Sequence, residues 1–129
     1  MIETVRVSQK AKDQLLTLKR RTGILQWNVL CRWALMRSLS EPTAPSKVPL
    51  KLDSNVEMTW KTFAGDQHEI ILAFLRLKIH EDGLDLKDEV LEEQFRLHLH
   101  RGIGYLVGDD QVKSVEGLVG LAGTWRIAA

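Results

Sequence analysis

The chain opens with an alternation of apolar and polar positions. In TVRVS, Val5 and Val7 fall on one side and Thr4, Arg6 and Ser8 on the other, the period-two pattern of a half-buried strand. From Lys10 the period lengthens: Ala11, Leu15 and Leu18 recur at helical spacing, Leu16 widens the stripe, and Ser8 stands where a cap belongs. Gly23 suits the left-handed residue that ends such a helix. The next segment has no broad polar side. At 100° per residue, Leu25, Trp27, Val29, Leu30, Cys31, Trp33, Ala34, Leu35, Met36 and Leu39 surround the axis, so this second helix has to be enclosed. One small helix and a strand cannot cover it. The pattern predicts that the carboxy-terminal half or another subunit does.

Pro42, Pro45 and Pro49 then interrupt regular structure and mark the main internal boundary. In NVEMTWKTF, Val56, Met58 and Trp60 share one face of a short predicted strand. Asp66 with Glu69 three positions on resembles a helix-start box ahead of IILAFLRLKI, a helix apolar enough to read as interior, and Gly83 closes it. Asp85 opens a further helix through LKDEVLEEQFRLHLHR, acids first and bases last as the macrodipole favours, and Gly102 stops it. SVEGLVGLA predicts a short helix weakened by Gly117 and Gly120. The fold class is mainly α: one small helical domain over residues 1–129 with a short N-terminal strand. Within it, 1–40 form a basic strand-helix-helix segment, 41–60 a proline-containing connection and 61–129 an acidic helical segment.

Composition changes this picture in two places. With 44% hydrophobic and 27% charged residues in a chain of 129, wholesale disorder and multiple large domains are excluded. No run approaches the roughly 18 apolar residues of a membrane span, MIETVRVSQK lacks the apolar core of a secretion signal, and the lone Cys31 cannot form an internal disulfide, so a cytoplasmic protein is expected. The net charge of +1 hides a division. Residues 1–51 hold ten Lys or Arg against three acids, a net +7; residues 52–129 hold eight against fourteen, a net −6. A basic half points to a polyanion such as nucleic acid. The alternative is that the halves neutralise each other within the fold or across an oligomer.

The order of strand, amphipathic helix, glycine turn and second helix, in TVRVS, LLTLKRRTGI and NVLCRWAL, resembles the ribbon-helix-helix DNA binders, in which two chains interlock and pair their strands. Over nearly its whole length, through LKRRTGILQWNVLCRWAL and through HRGIGYLVG after an acidic helix, the sequence is more particularly similar to the DndE family of DNA sulfur modification proteins. That resemblance implies a small helical protein, a tetramer, that binds duplex DNA with affinity for nicked duplex and is not itself an enzyme. Partners implied are duplex DNA and other DNA sulfur modification proteins. Two departures from ribbon-helix-helix repressors, no Ser or Thr cap on the second helix and some eighty residues beyond the motif, argue against base reading by Arg6. The candidate DNA contacts are Arg6, Lys10, Lys12, Lys19, Arg20 and Arg21, directed at backbone phosphates. The candidate oligomer interface is Gly23, Ile24, Trp27, Leu30 and Trp33.

Other chemistry is weaker. Cys31 sits among apolar residues on a helix that should be buried, whereas a sulfur carrier needs an accessible thiolate, and a cluster needs several cysteines. His98 and His100, two apart on a helix, point about 200° from each other and read as surface residues near a helix end; no metal or cofactor is expected. GIGYLVG follows a helix and lacks the Lys-Ser or Lys-Thr of a phosphate loop. Trp27 and Trp33 are read as packing residues and Trp125 is left unassigned. The acidic run EDGLDLKDEVLEE is read as a solvated helix face that could dock a basic partner. Besides DNA binding, two further functions stay open: a protein-protein adaptor that organises the modification enzymes, and, least favoured, a sulfur-handling protein using Cys31.

Overall fold

A computed structural model describes residues 1–126. The elements in order are β1 (Thr4–Arg6), α1 (Gln9–Thr22), α2 (Trp27–Leu39), β2 (Glu57–Thr59), α3 (Trp60–Ala64), a short 3-10 turn, α4 (His68–Glu81), α5 (Asp88–Gly108) and α6 (Val115–Ala122). Among the described residues, no helix is long and apolar enough to cross a membrane.

The predicted alternation holds: Val5 and Val7 are buried and Thr4 and Arg6 exposed. The pairing differs from what the ribbon-helix-helix resemblance implies. β1 pairs antiparallel with β2 of the same chain, Val5 opposite Met58 and Arg6 opposite Glu57. Trp60 is not in that strand. It starts α3, capped by the Thr59 hydroxyl, which accepts from the Thr62 amide, and packs with Phe63 and Phe95.

α1 begins as its sequence indicates, the Ser8 hydroxyl accepting from the Ala11 amide at 3.1 Å, and buries Ala11, Leu15 and Leu18. α2 is enclosed mainly by α5 of its own chain. A second subunit is therefore not required to cover it. The reason is Gly102, which does not end α5 but lies within it. A Cβ there would stand 1.7 Å from the Ala34 carbonyl oxygen, so the two helices cross in backbone contact. This contact outweighs the weak helix propensity of glycine, which only decides matters where packing does not. α4 departs from its expected interior position too. Its inner side buries Ile71, Leu75 and Ile79, while Ile70 is 49% and Leu77 38% exposed. No side chain caps α4 at Gln67, so the Asp66 and Glu69 pair does not form a box, although Glu69 still lies in the first turn; Gly83, at φ 74°, follows the helix as foreseen.

His98 and His100 are not surface residues. His98 is fully buried, its Nδ1 2.8 Å from the Ser38 hydroxyl, which also accepts from Arg101 Nε at 2.8 Å. Arg101 continues to the Ser38 and Thr43 carbonyls, both at 2.8 Å, and Lys78 donates to the Pro42 carbonyl at 3.0 Å, so this polar cluster pins the start of the proline-containing segment. His100 Nε2 accepts from the Ser8 amide at 3.1 Å while Nδ1 donates to the Arg96 carbonyl at 2.8 Å, joining the start of α1 to α5. Both imidazoles are kept neutral. Burial, reinforced by Arg101 and Lys78, pushes His98 down to about 3. Burial lowers His100 as well, against the Arg96 carbonyl bond that raises it.

Two outcomes follow from this packing. Gly102→Ala should destabilise the fold by about 3 kcal/mol or more through backbone overpacking, whereas Gly104→Ala, with only the Gln14 amide at 4.0 Å, should stabilise it by up to about 1 kcal/mol; thermal melts of the two variants check this. Unfolded His98 takes a proton near pH 6.5 and folded His98 only near 3, so stability is greatest above 6.5 and declines as pH falls toward 3. Between pH 8 and 5 the loss from His98 is about 2 kcal/mol. Urea unfolding across that range should show it, and His98→Asn, which cannot titrate, should show a shallower decline.

Candidate nucleic-acid interface

α1 ends in Lys19, Arg20 and Arg21, where cations face the negative end of the helix dipole. The turn beyond is locked from within. Gly23, at φ 75°, donates its amide to the Lys19 carbonyl, and the Thr22 hydroxyl donates to the Leu18 carbonyl at 2.7 Å while accepting from the Ile24 amide at 3.2 Å. The Lys19 ammonium lies 3.5 Å from the centre of the Trp27 ring, a cation-π contact that ties the end of α1 to the start of α2.

The six predicted cations do not form one face. Arg6 is exposed but ion-paired with Glu57 across the strand pair, which neutralises it. At 100° per residue, Lys12 and Lys19 share one flank of α1, Lys10 and Arg21 the opposite flank, and Arg20 rides the outward crest between them. Lys12 donates to the Asn55 amide oxygen at 2.7 Å. Arg21 donates to the Val107 carbonyl at 2.7 Å, where it holds the end of α5. Arg20 hydrogen-bonds, among the described residues, only to the neighbouring Thr17 hydroxyl, at 3.3 Å. Among the described residues, none of Lys19, Arg20 and Arg21 is paired with a carboxylate. The region therefore keeps its positive charge, with Arg20 as its least committed member.

The predicted interface residues also divide. Leu30 has no exposed surface and belongs to the core of its own chain, so it offers nothing to a second subunit. Gly23 is exposed, and Ile24, Trp27 and Trp33 are half-buried. Trp33 meets Trp125 edge to face at 6.0 Å, which gives Trp125 a packing role. Together with Met36, Ile70 and Phe74 these two tryptophans line an apolar groove of about 600 Å³ between α2 and α4.

Cys31 is fully buried and burial pushes its thiol up to about 12, with Arg32 only partly opposing. Such a thiol is neutral and inaccessible. Ser38 and His98 form the pair a sequence reading missed, since sixty residues separate them, but both are buried and Arg101 already occupies the hydroxyl. Among the described residues, no group of three or more His, Cys, Asp or Glu could hold a metal ion. The native protein should thus fail to react with a thiol-specific reagent at neutral pH and label at one site after denaturation, as mass spectrometry would read.

A family model described as DNA sulphur modification protein DndE matches residues 4–114, which takes in every element from β1 to α5 and leaves α6 beyond the match. The fold is similar to that of crystalline DndE from Escherichia coli B7A, involved in DNA phosphorothioation modification, with a TM-score of 0.69 and 26% identity over 82% of this chain and 98% of that one. A mutant DndE involved in DNA phosphorothioation shares the fold at a TM-score of 0.61 and 22% identity, covering 84% of this chain and 100% of that chain. No curated protein matches. With the family match spanning most of the sequence and the solved fold reproduced, the chain belongs to the DndE family of DNA sulphur modification proteins.

Proposed function

We propose that this protein is a non-catalytic accessory of DNA phosphorothioation that binds duplex DNA, nicked duplex in preference, through backbone phosphates. The observation that carries this reading is the end of α1, where Lys19, Arg20 and Arg21 follow one another without a carboxylate partner among the described residues. Charge-assisted contacts of this kind bind phosphates with little sequence preference and are strongly weakened by salt. A broken strand bends more readily onto such a surface, which supports a preference for nicks. The buried Cys31 and the sequestered Ser38 and His98 favour an accessory over an enzyme. The solved DndE of Escherichia coli, involved in phosphorothioation, supports the pathway and the presence of other modification proteins as partners. A cytoplasmic location accords with DNA as the ligand.

Self-association, as a tetramer, is part of the proposal because it would multiply the few cations of each protomer. It would use outward apolar residues such as Leu25, Ile70 and Leu77 in place of Leu30. The adaptor reading is favoured by one observation, the exposed acids Asp88 and Glu89 in the first turn of α5, of which Asp88 meets the amino terminus of the same chain, and which suit a basic partner protein.

Arg20→Glu is the clean test, since Lys19 and Arg21 also hold Trp27 and Val107. It should weaken duplex binding and make the salt slope shallower by about one per subunit's lost phosphate contact, with an unchanged melting temperature. Unaltered affinity, or no binding of bare DNA at low salt by the parent protein, would transfer the case to the adaptor. Ile70→Glu should lower the mass measured by light scattering while preserving helicity; an unchanged mass would remove α4 from the interface.

A further inference from the structure

A second concavity lies apart from the charged end of α1, bounded by the start of α1, the proline-containing segment and α5. It encloses about 410 Å³, within the ~300–1,000 Å³ usual for small-ligand sites. Ala11, Pro45, Leu50 and Leu97 make most of its wall apolar. Two of its polar residues are already committed: His100 to Ser8 and Arg96, Arg101 to Ser38 and Thr43. Three others, the Lys10 ammonium, the Gln14 amide and the Tyr105 hydroxyl, line the cleft without a hydrogen-bond partner among the described residues.

Gly104 lines the cleft. Gly102, two residues earlier, is demanded by Ala34, but nothing in the chain's own packing demands a second glycine inside α5. Its backbone is not in the left-handed region, and a Cβ would meet only Gln14 Nε2, at 4.0 Å, on the cleft's own wall. A glycine here weakens the helix and keeps the cleft open. The remaining chemistry is that of a site for something flat: apolar walls, an amide offering both donor and acceptor to the edge of a ring, and a cation at the mouth. Lys10 shares its flank of α1 with Arg21, about 16 Å away along the helix, so a strand held at the charged end can reach the cleft.

We propose that this cleft takes one unstacked nucleotide, its base against Pro45 and Gly104, its ring edge at Gln14 and its phosphate at Lys10. This rests on the DNA-binding reading, and it supplies that reading with a reason for preferring nicks, since a base at a strand end gives up less stacking and backbone constraint on leaving the duplex than an interior base does. The test compares three duplexes: intact, nicked, and nicked with abasic residues flanking the nick, each against the parent protein, Gly104→Leu and Gln14→Leu. Gly104→Leu fills the cleft while improving helix propensity, and Gln14→Leu keeps the volume while removing the amide.

The parent protein should bind the nicked duplex about tenfold tighter than the abasic one, in the range that stacking of one base provides. Both variants should erase that difference and keep the parent's affinity for intact duplex. A free mononucleotide should shift amide resonances of residues 11–14 and 97–105 in the parent and not in Gly104→Leu, which separates a nucleotide site from an effect of DNA bending. Equal affinity of the parent for nicked and abasic-nicked DNA, or discrimination that survives in both variants, would overturn the proposal. Loss of intact-duplex binding by Arg20→Glu reports on the other reading alone, so the two can fail separately.

Discussion

The backbone contact between Gly102 and Ala34 sets the geometry of the molecule. Because the two backbones meet there without an intervening side chain, α2 and α5 pack closely, and one turn further along α2 and one turn back along α5, in antiparallel sense, Ser38 meets His98. From that pair Arg101 reaches the carbonyls of Ser38 and Thr43, and the connection begins where α5 dictates. Between His98 and Gly102, on the opposite side of α5, His100 fixes the Ser8 amide and with it the start of α1. The orientation of the basic helix is thus inherited from a contact between two small residues in the core.

That inheritance explains how a cluster of cations persists on a nearly neutral protein. The acids of the carboxy-terminal half are spent elsewhere: Glu57 on Arg6, Asp82 on Lys78, Asp88 and Glu92 on the amino terminus; and Glu41, from the basic half, pairs with Arg37. Lys19 is stabilised by a ring and Arg21 by a carbonyl, partners that orient a cation without cancelling its charge. Neutral partners of this kind are compatible with a phosphate taking the other side of the same group. Arg6 shows the contrast, since a carboxylate partner across the strand pair removes it from the same account.

What the sequence made legible was local. Alternation at Val5 and Val7, the Ser8 cap, the glycine at 23 and the basic last turn of α1 all depend on neighbours a few residues apart, and all are present. The family resemblance was readable for the same reason, through two contiguous stretches. The misreadings share a cause in long-range contacts. Gly102 reads as a terminator because Ala34 is far along the chain; His98 and His100 read as solvated because Ser38 and Ser8 are equally distant; and the pairing of β1 with residues 57–59, some fifty positions away, has no local sign in either segment. Whether each cation is free or paired was equally hidden, since Glu57 and Val107 meet Arg6 and Arg21 only in the folded chain.

The separation of Ala34 and Gly102 along the sequence has a consequence for synthesis. Sixty-eight residues must be added after Ala34 before the glycine that closes over it is made. At ~5–20 residues per second this takes on the order of 3–14 s, during which α2 leaves the ribosome with its main covering element still untranslated. A nascent chain in that interval presents Leu30, Cys31 and Leu35, all fully buried in the finished fold, to whatever is nearby, an exposure that ends only when α5 arrives.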